Sequence, residues 1–174
     1  MISNIVLATD GSDHARHALD VGVDLAAKYG ATLTLVHVLT HDHPSADVER
    51  MLKVEGLADS TPVHNSEQGG ISMKLGRALR LGQKEDLDAR VIIALGEQIL
   101  KAAAKKANDA GVRNVTSEIH SGDYANCIID VAEKVDADMI VMGRRGMSNL
   151  KGFVTGSVSH KVSQRARCSV LTVK

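Results

Sequence analysis

Aromatic residues are almost missing from this chain: one Phe, two Tyr and no Trp among 174 residues. Folds that hold single-stranded nucleic acid stack bases on aromatic rings, so that class is excluded. An excess of charge of one sign is also lacking, because 21 Lys plus Arg balance 21 Asp plus Glu. Without a polybasic surface, counterion-driven binding to nucleic acid or to an anionic membrane has no footing. The two cysteines, Cys127 and Cys168, stand far apart and outside any Cys-x-x-Cys pair. That excludes zinc ribbons and thioredoxin-type redox motifs and leaves two reduced, inert thiols. No apolar run approaches the roughly 18 residues of a membrane span. The start of the chain has no basic segment and reaches Asp10 after a short apolar stretch, as a strand does and a signal peptide does not. A cytoplasmic location is expected. What the chain does have is 44% hydrophobic and 24% charged residues, the composition of a globular protein with one core.

The apolar run Ile5-Val6-Leu7-Ala8 stops at Thr9-Asp10-Gly11-Ser12, the pattern of a buried parallel strand ending in a turn. Ser12 can cap a following helix in which Ala15, Ala18, Leu19, Gly22, Ala26 and Tyr29 form one face, with Gly30 as terminator. Residues 31–38 read as a second strand. Further on, Leu87, Val91, Ala94, Leu95, Gln98 and Ala102 fall at helical spacing up to Gly111. Val115 and Ile119 alternate with polar neighbours, which suits an edge strand. Ala125, Ile128, Ile129 and Ala132 mark another helix, with Cys127 read as a core residue in its apolar stripe. Met139-Ile140-Val141-Met142 reads as a central strand ended by Gly143, residues 157–166 as a helix, and Val170-Leu171-Thr172-Val173 as the last strand. Alternating strands and helices predict an α/β fold: a doubly wound, five-stranded parallel sheet of order 3-2-1-4-5 with helices on both faces.

The stretch from about residue 40 to 86 is far longer than an ordinary connection and reads as an insertion within a single domain spanning 1–174. Two short helices joined by a polar link ending in Gly69-Gly70 are expected there. The insertion is expected to be the most mobile part of the chain and a lid or docking surface. His41-Asp42-His43 lacks a second ligand cluster and reads as polar loop, so no metal site is expected.

The strongest constellation is Gly143-Arg-Arg-Gly146, then nine residues, then Gly156-Ser157, set between a buried strand and a helix. Ligands in open α/β sheets bind beyond the carboxyl ends of strands. A glycine-rich loop lets amides approach phosphate oxygens, and a helix N-terminus favours an anion. The same glycines would also serve as simple turn and helix-entry residues. A P-loop pattern is absent, and no Gly-x-Gly-x-x-Gly follows the first strand.

Together with the Asp10-Gly11-Ser12 turn and Leu35-Val36-His37-Val38, this spacing resembles the universal stress protein family, over residues 2–40 and about 86–174. The resemblance implies a cytoplasmic homodimer that binds ATP, with or without Mg, and acts in stress response through a regulated partner. No defined catalytic reaction is implied, and any hydrolysis is expected to be slow. By position, Asp10 should approach the nucleoside and the Val38 backbone the adenine, while Gly143, Gly146, Gly156 and Ser157 surround the phosphates. Arg144 and Arg145 are candidates to clamp phosphate, with a solvated surface role as the alternative. Asp10 has helix capping with Ser12 as its alternative role, and Gly156 is expected to matter for ligand approach more than for packing. One departure is Ser169, where the family often has proline; it should alter the turn and leave the site intact. The last strand lacks the charges and prolines that protect an exposed edge, so dimer pairing through it is expected. Two rival functions remain: a nucleotide-independent dimeric interaction or chaperone-like protein, and an adenylating or nucleotide-hydrolysing enzyme.

Overall fold

The computed structural model describes residues 1–39, 84–146 and 155–174. The predicted insertion, with His41, His43 and Gly69-Gly70, lies outside the described residues, as does the middle of the glycine loop. In chain order the elements are β1 (Asn4–Ala8), α1 (Asp13–Tyr29), β2 (Thr32–Leu39), α2 (Lys84–Asp109), β3 (Val115–Ser121), α3 (Tyr124–Lys134), β4 (Met139–Gly143), α4 (Ser157–Arg165) and β5 (Ser169–Val173). All pairings are parallel, and the sheet order is β3-β2-β1-β4-β5, as expected from the sequence.

Side chains of a strand alternate between faces, and here both faces are covered. Ile5, Leu7, Leu33, Leu35 and Val141 pack under α1 and α2. Val6, Ala8, Val36, Val38, Ile140 and Met142 pack under α3 and α4. Ser12 caps α1 by accepting the Ala15 amide at 3.4 Å, and Gly30 ends it in the left-handed region at φ 65°. Asp123 caps α3 by accepting the Asn126 amide at 3.0 Å. At the opposite end of the sheet the Asp138 carboxylate accepts the Ser3 and Asn4 amides at 2.6 and 2.9 Å, which fixes β1 beside β4. Those two bonds hold its carboxyl below the usual range. Ser169 donates its amide to the Asp138 carbonyl at 3.2 Å, a bond that a proline there would forfeit.

Some details of the sequence reading shift. The buried stripe of α2 is Ile92, Leu95, Ile99, Leu100, Ala103 and Ala107, whereas Ala102 is exposed and Ala94 and Gln98 are half-buried. Two overlapping stripes fit the helical period there, and the sheet takes the one carrying larger aliphatic side chains. Tyr29, the last residue of α1, is 47% exposed and leaves the predicted apolar face. Cys127 is half-buried at the rim of the α3 contact and not in the core. Burial pushes both cysteine thiols up, away from the reactive thiolate.

Helix α1 lies so close to the sheet that a Cβ on Gly22 would meet Leu7 Cδ1 and stand 3.6 Å from Val141 Cβ. The Gly22→Val substitution should therefore lower stability by about 1–3 kcal/mol through overpacking, read as a lower urea midpoint at unchanged slope. An unchanged midpoint would contradict this close packing.

Candidate functional site

A parallel sheet of this order changes direction between β1 and β4. From β1 the chain crosses to β2 over one face, while β4 is reached over the other. The carboxyl ends of these two strands therefore diverge and open a crevice. A cavity of about 170 Å³ occupies it. Its apolar side is made by Ala8, Val36, Val38, Ile128, Met142 and Val158, and its polar side includes Asp10, Arg145, Gly146, Gly156 and Ser157. Seven of the eight predicted positions line one cavity; Arg144 is the one that does not.

The turn after β1 is fixed by its own hydrogen bonds. Gly11 takes φ 79°, a region that favours glycine, and donates its amide to Thr9 Oγ1 at 3.3 Å. Asp10 Oδ1 accepts the Ser12 amide at 3.0 Å. Capping of α1 thus falls to Ser12, while Asp10 braces the turn with one oxygen. The other, Oδ2, lies 2.5 Å from where a Cβ on Gly146 would stand, so the missing side chain at Gly146 is what admits the carboxylate.

The Val38 backbone follows from strand phase. Val36 O accepts the Thr9 amide at 2.9 Å on the β1 side, and Leu39 O accepts the Gly122 amide at 3.1 Å on the β3 side. Peptide groups alternate sides along a strand, so Val38 shares the phase of Val36 and turns its N–H and C=O toward β1. The β1–β2 register ends at Ala8↔Val36. The Val38 peptide edge consequently faces the crevice beyond the paired part of β1.

At the glycine loop, residue 144 is a junction. Its amide donates to Val173 O at 2.7 Å, and its carbonyl accepts the Gly156 amide at 2.9 Å and the Ser159 hydroxyl at 2.7 Å. Arg144 enters the site through this backbone, and its side-chain Nε is buried without a partner among the described residues. Gly156 is the N-cap residue of α4, with no side-chain cap, so the first amides of the helix open toward the cavity. Packing also constrains the glycines. A Cβ on Gly143 would stand 2.9 Å from Arg145 O and 2.9 Å from His14 C, and one on Gly156 would stand 3.1 Å from Arg144 O. Gly156 is therefore set by packing as well as by access, a correction to the expectation that approach of a ligand dominates.

Sequence reasoning missed Thr9, His37, Tyr124, Ile128 and Ser159 as parts of this site. Ser159 stands two residues after Ser157 in the same first turn of α4, a spacing that carries no signal of its bond to Arg144 O. His37 is 1% exposed and its Nδ1 lies 2.7 Å from Thr9 O. Since a carbonyl only accepts, Nδ1 carries the proton. Burial pushes the imidazole below its ordinary value, against the opposing pull of the Thr9 bond and the Asp10 charge.

Fold and crevice together define the class: an open α/β domain with a crevice at its topological switch point. The chain belongs to the universal stress protein family, whose family model matches residues 1–174. It is 32% identical over 176 residues to universal stress protein YxiE of Bacillus subtilis, with 100% of both chains covered. The universal stress protein from Archaeoglobus fulgidus in complex with dAMP shares its fold at TM-score 0.59 and 21% identity, covering 100% of this chain and 98% of that one. A universal stress protein in complex with cAMP does so at TM-score 0.62 and 22% identity, covering 99% and 96%. No helix among the described residues is long and apolar enough to cross a membrane.

The lowered pKa of His37 has a sign. Below about pH 6.5 the unfolded chain takes up a proton that the folded one refuses, so stability falls as pH drops and this contribution vanishes above that value. Urea midpoints measured from about pH 7.5 down to 5 should decline, and decline less in His37→Asn. Parallel profiles would show that His37 is not the group responsible.

Proposed function

We propose that the protein binds an adenine nucleotide, ATP foremost, in this crevice and passes its nucleotide state to a partner protein. The observation that carries the reading is one cavity joining an apolar slot, edged by the Val38 peptide, to the uncapped N-terminus of α4. A purine ring is an apolar slab with a polar rim. Its faces suit Ala8, Val36 and Met142, and its rim suits one strand peptide. The Asp10 carboxylate can accept ribose hydroxyls, and phosphate suits the first amides of α4 with Ser157 beside them. Arg145 lines the same cavity and supplies charge of the right sign. A Mg ion would come with the phosphates. The dAMP and cAMP complexes of two family members support an adenine ligand. The single domain with its insertion at 40–86, a cytoplasmic location and regulation in preference to turnover belong to the same proposal.

Ser157→Asp tests the site with opposite signs. An acid at the first helical position stabilises α4 through the macrodipole but repels phosphate. Calorimetric titration of nucleotide-stripped protein should show ATP binding by the wild type and at least about tenfold weaker binding by the variant, at equal or higher stability. Wild type that binds no ATP would bring forward the nucleotide-independent interaction protein.

A homodimer through β5 is part of the proposal, since among the described residues β5 is paired on the β4 side alone. The bonds of Ser169 N and Val173 O to β4 put residues 169, 171 and 173 in the inward phase. Val170 and Thr172 then turn their peptide groups to the open edge. Thr172→Pro removes one outward donor and should shift the light-scattering mass from two chains toward one at micromolar concentration. A wild type of single-chain mass would refute the pairing.

A further inference from the structure

Among the described residues, His37 is the one buried titratable side chain on the sheet, and nucleotide binding as described above gives it no task. Its cost is visible. With the proton on Nδ1, the Nε2 lone pair is left buried and without a partner among the described residues. An apolar side chain would fill the same space without that penalty. Helix α2 is also notched for the ring: a Cβ on Gly96 would stand 2.8 Å from His37 Cδ2 and 3.2 Å from Nε2. Glycine in a helix interior sacrifices helix propensity, so two unfavourable choices, His37 and Gly96, are held together. The Nδ1–H bond to Thr9 O is what histidine provides there and leucine does not.

Thr9 is where the β1–β2 ladder ends. Its amide still bonds Val36 O, and in a continuing parallel ladder its carbonyl would accept the next amide in the same phase, that of Val38. The imidazole claims this carbonyl from the α2 face instead, at 2.7 Å. Because the peptide is planar, the same bond fixes the plane that leads into Asp10. We infer that His37 is a positioning residue for the nucleoside half of the site: by holding the Thr9 carbonyl it keeps the Val38 peptide edge open and the Asp10 carboxylate against Gly146. The inference rests on the nucleotide reading of the crevice. It assigns no role to His37 at the phosphate half, where α4 and the glycine loop are tied to residue 144.

The test uses the full-length, nucleotide-stripped chain and two variants. His37→Leu fills the volume and removes the donor. His37→Asn keeps an amide N–H near the Nδ1 position and leaves a void below Gly96. Affinity and stability should then rank the variants in opposite orders, which a merely structural role would not produce. ATP should bind His37→Leu about tenfold more weakly than wild type and His37→Asn within about twofold of it, although His37→Asn unfolds at lower urea. Inorganic tripolyphosphate, which probes only the phosphate half, should bind all three within about twofold. Nitrogen-15 spectra of the wild type should show the Nδ1–H tautomer. Equal ATP affinity for His37→Leu and wild type, failure of His37→Asn to retain affinity, a parallel loss of tripolyphosphate, or an Nε2–H tautomer would each overturn the inference. A wild type that binds no ATP defeats the reading of the site itself, which separates the two failures.

Discussion

The central strands have no face left for water. Ile5, Val6 and Leu7 in β1, and Ile140 and Val141 in β4, are fully buried between two helical layers. Everything polar that the protein does must then happen at strand ends, because an unpaired polar group within the layers would cost the free energy of a lost hydrogen bond or more. Parallel connection narrows the choice further: helices cover the faces, the two edges are taken by β3 and β5, and only between β1 and β4 do strand ends diverge. The crevice is a consequence of the burial pattern before any residue lining it is considered.

The residues placed at that opening are chosen by close approach. Gly143 brings the end of β4 against the backbone of His14 and Ala15, at distances of 2.9 and 3.0 Å from a hypothetical Cβ. Gly146 admits the Asp10 carboxylate. The first turn of α1 and the exit of β4 are therefore packed as one unit, and the polar groups of both turns converge on the cavity without a side chain between them. Charge elsewhere is arranged locally: the Lys134 bond and then the His120 bond hold the Glu118 carboxyl low on the outer edge at β3.

Sequence patterns carried the sheet order because the inner strands hold short apolar runs, the edge strand β3 alternates apolar with polar residues, and the helices between them repeat at three and four residues. They failed where two patterns overlapped, as in α2, and in the last turn of a helix, where Tyr29 runs past the edge of the packed face. At the candidate site, glycine spacing pointed to a loop that lines the cavity because glycine marks backbone proximity. It could not tell which backbone comes close, so the contacts of Gly143 with α1 and of Gly156 with Arg144 O were invisible. Side chains acting through the main chain were hidden for the same reason. His37 sits in an apolar run and Ser159 on a helix, and nothing in their spacing reveals that one reaches Thr9 O and the other Arg144 O.

The pairing of Ile5 with Met139 joins segments 134 residues apart in the chain. On the ribosome, β1, α1 and β2 can associate as soon as they emerge, yet β4, the strand that completes the crevice, begins only at Met139. At translation rates of about 5–20 residues per second, the apolar face of β1 waits several seconds for its partner. Fully apolar strands on a nascent chain are aggregation hazards over such an interval. The same non-local closure that brings polar strand ends together at one point makes the crevice a late feature of folding.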